Sequence, residues 1–469
     1  MFSRFRNVIY NAVGGIDAPP NQGNTKVFEE RQEPKFLYSR PHFLGLNTSE
    51  EIKASADHRM RPIIVPRDSN VLPWNTGYAE CVNAGKSVWN EDQAVNMVQL
   101  LSRIKESPST SNPSEKEQSR VFNIPYVYFG IFDGHAGVGA ALSAANQLHH
   151  IIHEKLVDIL DELLPDATFT SNNITRDSLI IGALETAFAE MDQLIEGDRE
   201  KYLAPGGCTA LVLLMLLGKL YVANAGDSRG VCCMSSSNLV IPLSNDFTPE
   251  SERTRIRQLA AHQPHLMGNE FTAREFTKRH TRQDLGKRVL YRDPFMQGWS
   301  FRTLTLDDLK MPVVSGEGKR SRVMGTIGVT RGFGDHDLKA MNTKILLKPF
   351  LSCHPEVIIV NLEEYDMTVD DVVILGTDGL WDVTSNQQAY DVVNNSFKQF
   401  TIEKHRYMSA AQALVAHARG KMTNECAWKQ SDQKAATIDD ISVFVIPILP
   451  YHMEHLTWIE TFKPSTSDR

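Results

Sequence analysis

The chain has 469 residues, of which 42% are hydrophobic and 23% charged, a globular composition long enough for one large domain or two ordinary ones. A formal net charge of −8 argues against a protein that neutralises a nucleic-acid backbone, which needs a basic face, and suits one that gathers carboxylates around cations. Six cysteines without C-x-x-C spacing, in a chain too long to need covalent staples, read as reduced thiols, with Cys232 and Cys233 packed in a core strand.

In chain order, residues 1–16 (MFSRFRNVIYNAVGGI) place Phe2, Phe5, Ile9, Ala12, Val13 and Ile16 on one helical face and Arg4, Arg6, Asn7 and Asn11 on the other, with Gly14-Gly15 as a stop. Residues 17–32 are a polar, Pro/Gly-rich linker. A tethered amphipathic helix reads either as a surface-docking element or as a terminus that packs back on the domain or frays. The basic N-terminus lacks the apolar core and cleavage pattern of a secretory signal, and no run reaches the ~18 apolar residues of a membrane span. Residues 36–67 mix Pro, Arg and short apolar pieces and predict an extended wrap over the main domain. Two strands follow within 77–101, with a turn near 83–85, and then a polar loop over 102–120 that interrupts two strands.

A strand at 126–133 precedes a long predicted helix over about 135–164. A second helix spans about 179–195, where Ala183, Ala187 and Met191 recur at a buried-stripe spacing. Strands are predicted at 208–217, 219–224 and 229–234, the apolar run 211–226 being broken by the tight turn at Gly218-Lys219. Thr248-Pro249-Glu250 signals a helix start. From about 261 to 322 periodicity is lost in a stretch rich in Arg, Lys, Gly and Pro, and an irregular piece that long inside a domain is usually functional. Strands follow near 324–329, 356–361 and 372–376, helices at about 386–396 and 409–420, and a last strand at 441–449. Many strands with a few long helices, not in strict alternation, predict an α+β fold with helices stacked on antiparallel sheets.

The apolar strands share a peculiarity at their ends. FGIFDGHAG closes on Asp133, NAGDSRG on Asp227 and ILGTDGLWD on Asp378; IDDISVF opens on Asp439 and Asp440, WNEDQAV on Glu91 and Asp92, and RGFGDHDL puts Asp335 after a glycine. A carboxylate at such a border needs a partner, and a salt bridge, a helix cap and a metal are the three candidates. Any one of these acids is most often a turn or cap residue. Together they suggest strand ends that converge, where like charges would raise one another's pKa unless cations neutralise them. Oxygen donors without cysteine or several histidines select hard ions, Mg²⁺ or Mn²⁺, and a pair of such ions suits the hydrolysis of phosphate esters.

FGIFDGHAG, GGCTALVLLMLLGKLYVANAGDSRG, TIGVTRGFGDHDLK, VVILGTDGLWDV and DDISVFVI, in this order between about 77 and 448, resemble the metal-dependent protein phosphatases of type 2C. The segment after Arg229, with HLMGNEF and LYRDPFMQGWSF, is similar to the animal branch lettered H, J and M, which enlarges a flap beside the cleft. The resemblance implies a β-sandwich of two antiparallel sheets flanked by helices, with a dimetal cleft at one end. It divides the chain into an N-terminal helix and linker (1–35), a catalytic domain (36–450, flap about 246–324) and a C-terminal tail (451–469). It implies that Asp133 bridges two metals with the carbonyl of Gly134 as a further ligand, that Glu91 holds the second metal through water, and that Asp378 and Asp439 bind the first. Asp227 matches an acid of a third, weaker metal site. His135 matches the proposed general acid, a role its near-neutral pKa suits; standing alone, the same histidine would read as capped or buried. Asp92 and Thr209 match neighbours that order water and ligands.

Two positions depart from the family pattern. Many members carry a phosphate-binding arginine four residues before the metal-binding glutamate. Here Ser87 stands there, with Lys86 beside it, and lysine supplies the charge without the bidentate fork. Phosphate affinity then rests on Lys86, or on flap residues such as Arg320 and Arg322. The usual Asp-Asn pair is Asp439-Asp440, which adds charge near the metals. No ligand is lost. The expected function is hydrolysis of phosphoserine and phosphothreonine on proteins by a dimetal-activated water, with a catalytically dead phosphoprotein scaffold as the alternative and a metal nuclease disfavoured by the charge. Small GTPases of membrane traffic are the substrate candidate the branch offers. The expected location is cytoplasmic, in part peripheral on internal membranes through the N-terminal helix, with the nucleus left open.

Overall fold

Along Val121–Phe132 alternate side chains enter two different cores, the period-two signature of a strand buried on both faces. Val127, Phe129 and Ile131 face one core, and Ile124, Tyr126, Tyr128 and Phe132 face another. The same split runs through Ala210–Leu216, with Leu211, Leu213 and Met215 on one side and Val212, Leu214 and Leu216 on the other. In Arg229–Met234 it separates Cys232 from Cys233, both fully buried and packed as apolar residues. The computed structural model describes residues 35–104, 121–164, 174–197, 205–400, 403–424 and 427–461. The N-terminal helix, its linker and most of the 102–120 loop therefore lie outside the described residues.

The long strands form two antiparallel sheets. One runs Ile63–Ile64, Gly77–Cys81, Ile441–Pro447, Val372–Gly376, Arg229–Met234, Leu239–Pro242. The other runs Glu356–Asn361, Lys219–Ala225, Ala210–Leu216, Val121–Phe132, Gln93–Ile104. Between them lies a core of Tyr78, Phe129, Leu213, Val222, Leu375 and Phe444. Helices Gly139–Asp158 and Arg176–Gly197 cover the outer face of the five-stranded sheet, and Asn386–Gln399 and Glu403–Arg419 cover that of the six-stranded one. Ala183, Ala187 and Met191 do lie on the buried face of their helix. The wrap over 36–67 contributes Phe43 and Leu44 to the inter-sheet core and a Thr48-capped helix, Ser49–Ser55. The chain then forms a helix, Leu449–Glu460, where a tail was expected from 451, pinned by the Tyr451 hydroxyl accepting from the Gly218 amide at 3.1 Å.

Some local expectations fail, among them the helix start at Thr248-Pro249-Glu250, since that helix begins only at Arg253. The helix predicted from His135 begins at Gly139 instead, because Gly134–His135 pairs as a short strand with Gly207–Cys208 and the chain then turns through Ala136 and Gly137, both at positive φ. No strand forms over 324–329; Met324 is left-handed and Val323 pairs with Ile327 in a single antiparallel bridge, a tight turn whose apolar residues fill a core. The stretch over 261–322 is not irregular. It carries a three-stranded sheet (Glu275–Phe276, Arg288–Arg292, Ser300–Thr303) and shares a core of Ile256, Phe271, Val313, Val323, Leu347 and Phe350. Strands of two to five residues are too short to show a period, which is why the sequence hides them.

Candidate active site

The acids singled out by their strand-end positions gather at one end of the sandwich. Asp133 follows Val121–Phe132 and Asp227 follows Lys219–Ala225. Asp378 opens the short helix Asp378–Trp381 after Val372–Gly376, Asp439 precedes Ile441–Pro447, and Glu91 precedes Gln93–Ile104. Gly134 is required by close approach, since a Cβ there would stand 2.5 Å from the Glu91 carbonyl oxygen. Thr209 fixes the Asp133 backbone from both sides. Its amide donates to the Asp133 carbonyl at 2.9 Å, and its hydroxyl accepts from the Asp133 amide at 3.3 Å while meeting Ser228 Oγ at 2.8 Å.

Buried cations at second hand hold the ligating turns. Arg40 from the wrap forms a fully buried bidentate pair with Glu80, at 2.7 and 2.8 Å, and spends its remaining donor on the Asn90 and Asp92 carbonyls at 3.2 and 2.6 Å. That fixes the turn carrying Glu91. Arg61, also fully buried, donates to the Val82, Thr437 and Asp439 carbonyls, each at 2.7 Å, and so fixes Asp439. Neither arginine was legible as part of the site, because each acts on backbone oxygens, which leave no trace in side-chain patterns.

The electrostatics are those of crowded acids. Burial first, then the neighbouring Asp378, Asp92, Asp439 and Asp227, push the Asp133 carboxyl well above its usual range. Burial followed by Asp439 and Asp227 does the same to Asp378, with Lys86 acting against it. Burial with Asp246 raises Asp227 to about 7, and burial with Asp440 raises Glu91 to about 7. Among the described residues, the carboxylates of Asp133 and Asp378 have no hydrogen-bond donor and no basic ion-pair partner within contact. Asp92 lies deeper: Thr377 Oγ1 donates to one carboxylate oxygen at 2.9 Å, and the other is buried without a partner.

Lys86 reaches into this cluster and pairs with Asp439, close to Asp378 and Asp133. Ser87 does not face the cleft; its hydroxyl donates to the Trp89 carbonyl at 2.6 Å and accepts from Asn83. Arg322 is tied to the Lys319 and Ser321 carbonyls, so the insert presents Lys319 instead, which pairs with Asp382 at 2.8 Å on the rim. Asp440 is a clip. Its carboxylate accepts from the Asn83 amide at 2.7 Å, the Asn83 side chain at 3.1 Å and the Glu91 amide at 3.1 Å, joining the two turns that flank Lys86.

His135 stands at the edge of the cluster. Its Nε2 lies 2.7 Å from Asp335 Oδ2. Burial works against its charge, yet Asp335, by charge and hydrogen bond, carries its pKa above the usual value. Glu91 is close by, held by the Gly137 amide at 2.8 Å.

The donor set is all oxygen, which fits hard divalent ions. Among the described residues no group of three or more Asp, Glu, His or Cys side chains is gathered closely enough to hold a metal ion by itself. An open array matches ions that keep several waters and take one or two carboxylates each. The unpartnered carboxylates of Asp133 and Asp378 are the donors such ions would use.

A family model described as Protein phosphatase 2C matches residues 102–268 and 311–426, and the unmatched piece between the two blocks contains the three-stranded sheet of the insert. The chain is 42% identical to Protein phosphatase 1H of Xenopus tropicalis, the match covering 96% of this chain and 99% of that protein. Protein phosphatase 1H of Homo sapiens is also 42% identical, over 96% of this chain and 99% of that protein. Protein phosphatase 1J of Rattus norvegicus is 42% identical over 93% of this chain and 91% of that protein.

Proposed function

The chain belongs to the protein phosphatase 2C family and is a metal-dependent serine/threonine protein phosphatase; from that premise we propose which of its residues carry the reaction and where it acts. Asp133 would sit between two Mg²⁺ or Mn²⁺ ions, with the Gly134 carbonyl, Glu91, Asp378 and Asp439 completing the protein's share of ligands and Asp227 serving a third, weaker site. When bound, such a pair polarises the phosphoryl group and lowers the pKa of the attacking water. Thr209 and the Arg40 and Arg61 clamps hold these donors in register. Lys86 meets the phosphate as a point charge in place of an arginine fork. His135 donates the proton that the departing serine or threonine oxygen needs.

The observation that carries this reading is the pair of cleft carboxylates, Asp133 and Asp378, which no basic side chain among the described residues pairs with in contact, Lys86 acting on them only from beside Asp439. An inactive scaffold has no support from the relatives, which are named protein phosphatases matched over most of the chain. Phosphate release from a phosphothreonine peptide should stop on chelation and return with Mn²⁺. In the same assay Lys86→Ala should raise KM several-fold. Hydrolysis that survives chelation would sink the metal reading, and an unchanged KM would reduce Lys86 to a salt bridge with Asp439.

The finer proposal concerns place and substrate. We propose a cytoplasmic enzyme, in part peripheral on internal membranes, that acts on small GTPases there. It is supported by the sequence pattern alone: an apolar stripe of Phe2, Phe5, Ile9, Val13 and Ile16, on a linker, with only Arg4 and Arg6 beside it. At ~0.8 kcal/mol per buried CH₂ such a stripe gives reversible adsorption and no permanent insertion. Two arginines are too few to select anionic lipid strongly. Liposome flotation should recover the wild type with curved vesicles and lose it on Phe2→Asp/Phe5→Asp. Equal flotation of both proteins, or none at any curvature, would remove the tether.

A further inference from the structure

Asp335 sits in the motif RGFGDHDL, directly after the short strand Phe333–Gly334. Its environment is built. The residue adopts a left-handed φ of 57°, a conformation that costs a side-chain-bearing residue and that aspartate tolerates better than most. Its amide donates to the Gly206 carbonyl at 3.0 Å. Its carboxylate is 7% exposed and occupies space left by the missing side chain of Gly207, whose Cβ would stand 2.4 Å from Asp335 Oδ2. Oδ2 meets His135 Nε2, while Oδ1 is buried with no partner among the described residues.

The loop is held from behind by a second acid. Asp192, on helix Arg176–Gly197, accepts from the Gly334 amide at 2.9 Å, from Lys348 Nζ at 2.9 Å and lies 3.1 Å from His336 Nε2. Lys348 also donates to the Gly334 carbonyl at 2.7 Å. Thus a helix, Lys348 and the glycine-bearing turns at Gly206-Gly207 and Gly334 converge to place one carboxylate against one ring nitrogen.

We propose that Asp335 is a positioning residue for the leaving-group step: it holds His135 by Nε2 and leaves Nδ1 as the nitrogen that faces the departing oxygen. The proposal rests on the general-acid role given to His135 above. An ionised carboxylate only accepts, so Nε2 is the donor in this contact and its proton is committed to Asp335. Nδ1 has no hydrogen-bond partner among the described residues, is not enclosed, and a third of the side chain remains exposed. This is the arrangement by which a buried aspartate orients a catalytic histidine in hydrolytic triads, with the two ring nitrogens exchanged.

The step balances. The bond between phosphorus and the serine or threonine oxygen breaks, and its electron pair goes to that oxygen, which takes the proton from Nδ1 and leaves as the hydroxyl. Water oxygen forms the new bond to phosphorus. One water proton stays on the phosphate, and the other returns through solvent to the imidazole. Asp335 keeps its contact with Nε2 throughout and steadies the ring before transfer.

A phosphothreonine leaving group needs that proton; a p-nitrophenolate leaves without it. Asp335→Asn, close in shape, should therefore lower kcat on a phosphothreonine peptide by roughly 10–100-fold more than on p-nitrophenyl phosphate. His135→Ala should show the same leaving-group dependence, and the double variant should be no worse than His135→Ala alone. Asp192→Asn, which loosens the loop without touching His135, should shift the ratio the same way by less and remains informative if Asp335→Asn does not fold. Equal losses on both substrates, additive losses in the double variant, or no loss in Asp335→Asn would overturn the proposal. A His135→Ala protein without leaving-group dependence would instead remove the acid role itself.

Discussion

Asp133→Ala should leave a folded protein whose turnover falls by at least ~10³. The fold should survive because the carboxylate contributes no hydrogen bond to another described side chain. What anchors this position is backbone: the Asp133 amide and carbonyl are both taken by Thr209, and alanine keeps both. Removing a crowded acid even relieves repulsion with Asp378 and Asp439. The loss therefore lies in catalysis, where one residue is proposed to serve both ions. A fall of 10³ corresponds to about 4 kcal/mol of transition-state stabilisation. Calorimetric Mn²⁺ titration separates the causes. The variant should bind Mn²⁺ at least tenfold more weakly, with an unchanged circular dichroism spectrum. Wild-type Mn²⁺ affinity together with wild-type turnover would show that Asp133 is a turn residue after all.

Much of this was legible because strands and acids announce themselves. The two-sided burial of 126–133 and 210–216 follows from unbroken apolar runs, and each run ends where the chain must meet the cleft. The acids stand at those ends in the sequence, so their convergence follows once the sheets are antiparallel. Residues that act through backbone oxygens were not legible. Arg40 and Arg61 look like surface arginines in a polar wrap, and only the structure shows them fully enclosed. By sequence Asp440 adds charge on the metals, yet in the structure it clips Asn83 to Glu91, because its neighbour Asp439 takes the cleft-facing position. The helix assigned from His135 failed for a related reason. Residues 135–138 carry no helix-breaking proline, and the turn is set by pairing with Gly207–Cys208, seventy residues away in sequence.

Without metal, the protein should lose stability as pH rises from about 4 to about 7, and Mn²⁺ should restore it increasingly over that range. Glu91 and Asp227 are both raised to about 7, and Asp440 to about 6, with burial as the first cause in each. Asp133 and Asp378 are shifted in the same direction. A carboxyl whose folded pKa lies above its unfolded value binds more protons folded than unfolded between the two. Stability then falls with rising pH across that window, and the loss is complete once pH passes the folded pKa. The raised His135 acts in the same sense, its contribution being lost as pH climbs through its folded value. Asp192 and Glu252, held below their usual range by basic partners that overcome burial, act oppositely but only at more acidic pH. One pKa unit corresponds to about 1.4 kcal/mol. For partly solvated cleft groups the total is on the order of a few kcal/mol. Divalent ions bind the deprotonated carboxylates, so they release protons and remove the repulsion. The melting-temperature increment from Mn²⁺ over chelator should therefore grow from pH 5 to pH 7.5, and calorimetry in two buffers of different ionisation enthalpy should record proton release near pH 6. An increment independent of pH, with no proton release, would mean that the cleft acids are already ionised without the metal and that their mutual repulsion is not what the ions relieve.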